Sequence, residues 1–176
     1  YNEQPQSFSG YMLNMREWPF DDKNVRMAFC YGYDRETLFE KLFFNQYEYL
    51  DSYYPGSRWG NPKNRKVRYN PRRAERFLDR AGYTQRDANG IRVHEETGKA
   101  LSFTLEYGFA SSTRIHQVVA EGLRKLGIEM KLELMDYNAL MKKISERQFV
   151  LHSQAWRGIL FPNPLTAWKS DLANEP

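Results

Sequence analysis

The residues of this chain best suited to holding another molecule are Trp156, Arg157 and Gly158. A tryptophan offers a flat apolar wall. An arginine offers a fixed fork of donors that fits a carboxylate or a run of backbone carbonyls, and a glycine lets main chain approach a ligand closely. The alternative reading is that Trp156 caps the core and Arg157 pairs with an acid inside the fold. Catalytic patterns are absent: there is no phosphate-cradling glycine loop, no HExxH and no GxSxG. His94, His116 and His152 are far apart in sequence. His116 sits among polar neighbours on a helical stretch and reads as a surface residue. His152 reads as a structural histidine near a strand end, with a place near a site as its alternative. Asp21-Asp22 and Asp136 read as helix caps. Nothing assembles a nucleophile, a base and an orienting group, so an enzyme is not expected. No cofactor motif or metal-ligand set is found.

The stretch that must position these residues is 101–154, which reads as strand, helix, strand, helix, strand. Residues 101–107 and 128–134 alternate apolar and polar side chains with period two. Between them, Ile115, Val118, Val119, Leu123 and Leu126 fall at helical spacing over 112–126, and Gly127 stands where a C-terminal cap belongs. A short helix comes next, with Tyr137, Leu140, Met141 and Ile144 on one face, and 149–151 opens a third strand. Strands joined through helices of this length pair in parallel. Ligands bind beyond the carboxyl ends of such strands. That rule points to Gly108-Phe109 and to residues 155–158.

The flanks read as helices and turns. A short strand covers 11–15, and Trp18-Pro19-Phe20 forms a turn. Asp21 or Asp22 caps a helix bearing Val25, Phe29 and Tyr33. Asp34 caps a second helix, with Thr37 three residues on, ending near Asn45. Residues 46–68 form a long loop whose Tyr47, Tyr49, Tyr53, Tyr54 and Trp59 argue against disorder. Asn70-Pro71 opens a helix that Gly82 ends. A hairpin is expected between 91–94 and the strand at 101, across the turn at 95–99.

The chain has 176 residues, 41% of them hydrophobic and 15% aromatic, the mark of one domain with a sizeable core. It starts at Tyr1 rather than Met, and reads as a piece of a longer protein. No apolar run approaches a membrane span of roughly 18 residues. The single cysteine, Cys30, excludes an internal disulfide, and its apolar neighbours suggest an inert thiol. The net charge of +4 and the basic stretch 58–73, with Trp59 and Tyr69 interleaved, raise a rival reading as a nucleic-acid-binding domain. The plainer reading of that stretch is a solvated loop leading into a helix.

Several segments resemble one family. Trp18-Pro19-Phe20-Asp21-Asp22, Val25-Arg26-Met27-Ala28 and Tyr33-Asp34-Arg35-Glu36 resemble the PFxDxxVRxAxxYAxDRE signature of family 5 extracellular solute-binding proteins, the oligopeptide-, dipeptide- and nickel-binding subunits of ABC importers. The helix from Asn70-Pro71 to Ala81-Gly82-Tyr83, the strand after Lys99-Ala100 and the Leu126-Gly127-Ile128 turn are similar to further elements of that family. The stretch 149–156 is similar to its DFD…GW segment, with Ala155 in place of the Gly. Phe43-Phe44-Asn45-Gln46-Tyr47 and Asp51-Ser52-Tyr53-Tyr54 look most like the oligopeptide-type branch. The resemblance implies a periplasmic-binding fold of the second type, an α/β lobe with a βαβαβ core, flanking helices and a hairpin. Residues 1–176 would be a single domain, most of the carboxyl-terminal lobe. Two lobes would close around an oligopeptide or peptide-like solute and deliver it to a membrane permease. The implied setting is the periplasm, or the cell exterior as a membrane-tethered lipoprotein, and the implied state a monomer peripheral to the membrane. On this reading Trp156 stacks, Arg157 donates hydrogen bonds, Gly158 admits the ligand backbone, and Tyr53 and Tyr54 wall the pocket. Two departures stand out. Oligopeptide binders often carry an Asp shortly after GW, and residues 157–161 contain no acid. Gly32 also replaces the Ala that comes after the signature's Tyr.

Overall fold

The computed structural model describes residues 7–47, 49–52, 59–157 and 171. The chain divides into two compact units, one of residues 10–48 and 67–154 and the other of 1–9, 49–66 and 155–176. In the smaller unit, the Asn64 side-chain amide donates to the Asp51 carbonyl at 2.8 Å, and Asn61 Oδ1 accepts from the Lys63 N–H at 2.9 Å.

The elements of the larger unit begin where local chemistry starts them. Strand β1 (Ser7–Leu13), which begins in the smaller unit, leads to the Trp18-Pro19 turn, whose peptide bond is cis. Asp22 caps α1 (Lys23–Gly32) by accepting from the Asn24 N–H. Asp34 caps α2 (Arg35–Lys41) twice over, accepting from the Thr37 N–H at 3.0 Å and the Thr37 hydroxyl at 2.7 Å. Asn70 caps α3 (Pro71–Arg80), and the proline fills a first-turn position that needs no N–H. After α3 come β2 (Gln85–Arg86), β3 (Arg92–Val93), β4 (Ser102–Tyr107), α4 (Thr113–Lys125), β5 (Glu129–Leu134), α5 (Tyr137–Ser145) and β6 (Leu151–Arg157). A single 3₁₀ turn, Ala110–Ser112, precedes α4.

The main sheet has the order β1-β6-β4-β5. β4 runs parallel to both β5 and β6, as the alternation and the helical crossovers require. The odd-numbered side of β4 faces α4 and α1. The Tyr107 ring lies 4.8 Å from His116 of α4, and Phe103 meets Phe20 edge-on at 4.8 Å. The even-numbered side faces α5, where Lys143 pairs with Glu106. Helices therefore cover both faces, as in a doubly wound sheet. The core is continuous from Phe20 and Phe29 through Leu78, Leu105 and Leu123 to Leu151. α3 closes it from outside by stacking Phe77 on Tyr31 at 5.8 Å.

The structure corrects several expectations. The first strand is Ser7–Leu13 rather than 11–15, because pairing beside β6 sets its limits, not its own alternation. α2 stops at Lys41 rather than near Asn45, because Phe44 and Asn45 adopt left-handed φ of 47° and 57°. β3 pairs with β2 across the turn at Asp87–Gly90, and the hairpin expected across 95–99 is present in short form, as an antiparallel Val93–Ala100 bridge flanked by the His94 N–H to Lys99 carbonyl (3.0 Å) and Leu101 N–H to Arg92 carbonyl (2.7 Å) bonds. β4 itself is committed to the parallel sheet. The Gly32 departure has a packing cause: a Cβ there would stand 2.6 Å from Leu126 Cδ1, so the glycine lets α1 pass the end of α4.

Candidate functional site

β4 ends at Tyr107 and β5 at Leu134, register partners, so the two strands finish level. Three apolar side chains at or just past these ends are exposed. Phe109 is 61% exposed, Leu134 52% and Tyr137 46%. The Phe109 and Tyr137 rings lie 5.2 Å apart, tilted at 44°. Each ring is held by its backbone. The Phe109 carbonyl accepts from the Ser112 hydroxyl at 2.7 Å and the Ser112 N–H at 3.0 Å. Asp136 caps α5 through the Asn138 and Ala139 N–H groups, which fixes Tyr137 in the first turn. Gly108 makes the approach possible, since a Cβ there would sit 3.1 Å from Tyr137 Cδ2. The sequence rule points to Gly108-Phe109 but not to Tyr137, which the periodicity assigns to the buried face of α5. Only Leu140 of α5 is fully buried. The missed signal is Tyr137's place at N1 of a helix that starts beyond a strand's carboxyl end, where the first turn looks out from the sheet edge.

Beneath this edge the side chains are polar and buried. His116, expected at the surface, is 2% exposed. It shares a face of α4 with Val119 and Leu123 at helical spacing, and its Nδ1 and the Tyr11 hydroxyl are joined by a 2.8 Å hydrogen bond. Burial lowers its pKa to about 4 and pushes the Tyr11 phenol well above its ordinary value. Tyr107 reaches α4 as well, through a 3.0 Å hydrogen bond to the Thr113 hydroxyl. His152 is buried as expected. Neither of its ring nitrogens has a partner in hydrogen-bond geometry, although the Ser153 backbone partly offsets the downward pull of burial on its pKa. Cys30 is half-buried, and burial raises its thiol pKa against the lowering influence of Arg35 and Arg26.

Of the residues singled out in the sequence, Trp156 is half-buried in β6, and Arg157 gives its backbone to the last position of that strand. The sequence places both beyond the strand, but β6 continues past its pairing with β4, which ends at His152, because β1 flanks its other side. The Arg157 side chain, Gly158, Tyr53 and Tyr54 lie outside the described residues. In the basic stretch, Lys63, Arg65, Lys66, Arg72 and Arg73 are exposed, and the Arg73 guanidinium lies over the Tyr31 ring at 4.8 Å. Among the described residues, no group of three His, Cys, Asp or Glu side chains could hold a metal ion, and no helix is long and apolar enough to cross a membrane.

A sheet whose β4, β5 and β6 run parallel, covered by helices on both faces and carrying an apolar rim at the carboxyl edge of β4 and β5, fits a lobe of the type II periplasmic-binding class. The chain belongs to the bacterial extracellular solute-binding proteins, family 5: the family model described as the middle part matches residues 1–174. The oligopeptide-binding protein AppA of Bacillus subtilis is 34% identical over 133 residues, which cover 72% of this chain and 24% of that protein. The structure of AppA in complex with a nonapeptide superposes with a TM-score of 0.77 at 28% identity, over 93% of this chain and 33% of AppA. NikA of Brucella suis, in complex with Fe(III)-EDTA, has the same fold, with a TM-score of 0.81 at 23% identity over 89% of this chain and 32% of NikA. The chain thus spans about a quarter to a third of the length of these relatives.

Proposed function

We propose that this chain is a single domain, most of the carboxyl-terminal lobe of a two-lobed solute-binding protein that serves an ABC importer. The whole protein binds an oligopeptide or peptide-like solute between its lobes and hands it to a membrane permease, without catalysing a reaction. It works outside the cytoplasm, in the periplasm or tethered to the membrane as a lipoprotein, as a monomer. The observation that carries the reading is the exposed Phe109–Tyr137 pair beyond level strand ends. A surface of this kind grips a ligand through ring faces and tolerates varied side chains, which suits peptides. The likeness to AppA, whose structure holds a nonapeptide, supports the peptide class. In the same proposal Trp156 stacks on the solute, Arg157 donates to its backbone carbonyls, Gly158 admits the ligand backbone, and Tyr53 and Tyr54 wall the pocket. The nucleic-acid reading of residues 58–73 gains nothing from the relatives.

Native mass spectrometry of the gently purified full-length protein tests this. A retained mass that fragments as peptide is the expected result. A bound sugar or amphipathic small molecule overturns the peptide class and leaves the importer role standing. Bound nucleic acid, released steeply with salt, overturns both.

A further inference from the structure

The even-numbered face of the sheet carries an anomaly that solute binding at the rim leaves unused. Glu106 of β4 and His152 of β6 are register partners on adjacent parallel strands, so their side chains stand on the same face. They are 8% and 1% exposed. Glu106 Oε1 is taken by the ammonium of Lys143, which reaches down from α5. Glu106 Oε2 and both nitrogens of His152 are buried with no hydrogen-bond partner. Buried polar atoms are nearly always satisfied, so three such atoms on two register-paired residues call for an occupant. The Phe149 ring meets His152 edge-on at 5.4 Å and closes one side. α5 roofs the place and is lightly held, with Leu140 its one fully buried residue.

We propose that Glu106 and His152 form a hydrogen-bonding socket at the carboxyl end of β4 that takes a neutral donor–acceptor group of the bound solute, a hydroxyl or a carboxamide. The charge balance selects that class. Lys143 already neutralises Glu106, and burial keeps His152 uncharged. An ammonium or a carboxylate would enter a low-dielectric place with no opposite charge left to meet it. A hydroxyl or carboxamide donates to Oε2 and accepts from the imidazole N–H, satisfying both residues without adding charge. The inference rests on the solute-binding reading and adds to it a preference for Ser, Thr, Asn or Gln at one ligand position.

The test uses the full-length protein with ¹⁵N-labelled histidines and four small probes: acetamide, propanol, methylammonium and acetate. Acetamide or propanol should shift the His152 ring resonances saturably and leave those of His116 unmoved. The response should weaken at least tenfold in Glu106→Gln, an isosteric change whose folding the His116 resonances report. No saturable shift with either neutral probe overturns the socket, because a permanently resident water then holds it. Tighter binding of methylammonium or acetate overturns the neutral class. An unchanged response in Glu106→Gln removes Glu106 from the site. Peptide binding by the full-length protein, followed separately by calorimetry, stands or falls independently of these shifts.

Discussion

Tyr11 of β1 and His116 of α4 are joined by a 2.8 Å hydrogen bond, the Tyr107 ring lies 4.8 Å from the imidazole, and the histidine is shut away from water. Its folded pKa of about 4 lies below the ordinary 6.5. The unfolded chain therefore takes up a proton that the folded chain refuses as pH falls between those values. Stability should be level above about pH 6.5 and decline towards pH 4, by at most ~3 kcal/mol from this residue. His152, also held below its ordinary pKa by burial, acts with the same sign. Urea unfolding at pH 7.5, 5.5 and 4.5 measures the slope. An equal slope in His116→Phe would assign the effect elsewhere.

Arg92 ties three segments together. Its Nη1 donates to Asp79 Oδ1 and to the Tyr83 carbonyl, both at 2.6 Å, and its Nε donates to the Leu126 carbonyl at 3.1 Å. Arg92→Met should cost about 3 kcal/mol, because it strands two buried carbonyls at the ends of α3 and α4. Asp79→Asn should cost under ~1 kcal/mol, since Asp79 is half exposed. Comparable losses in the two variants would show that the ion pair, not the carbonyl contacts, holds this corner.

Gly127 ends α4 at a φ of +82°, and a Cβ there would lie 2.8 Å from both Arg86 Nη1 and Arg92 Cγ. Gly127→Ala adds backbone strain to a clash and should destabilise by about 2 kcal/mol or more. Gly90 shares the left-handed φ but has open space around it, so Gly90→Ala should cost roughly 1 kcal/mol. Thermal melts of the two variants separate strain from crowding.

Phe109 and Tyr137 are exposed, so truncating either should leave the melting temperature nearly unchanged. In the full-length protein, Phe109→Ala and Tyr137→Ala should each weaken binding of a nonapeptide roughly 5- to 20-fold. Calorimetry with the same peptide decides, and unchanged affinity in both variants would remove the rim from the site.

On the two-lobed proposal, the isolated chain should bind that peptide far more weakly than the full-length protein, by about 100-fold or more, because one lobe would supply only part of the contacts. Equal affinities would mean that the second lobe contributes nothing.

The sheet was legible in the sequence because β4 and β5 alternate cleanly and α4 carries a long apolar stripe ending in Gly127. Caps were legible too: Asp22, Asp34, Asn70 and Asp136 all accept the N–H groups expected of them. Burial of polar residues was not. His116 has polar neighbours in sequence, and only the fold shows that Tyr11, about a hundred positions earlier, covers it. Glu106 alternates as a solvent-facing residue should, yet α5 roofs it. β2 is two residues long, too short to show a period. Tyr137 fits both a buried stripe and an exposed first turn, and spacing alone does not separate them.

β1 is the neighbour of β6, although 137 residues separate Leu13 from Leu151. As the chain emerges from the ribosome, β1 must wait unpaired until β6 has been made. The Asn14 N–H finds its acceptor, the carbonyl of Val150, only then. A strand left open that long is a target for holding chaperones and for mispairing. Partial translation products of this protein that end before β6 should therefore be sticky.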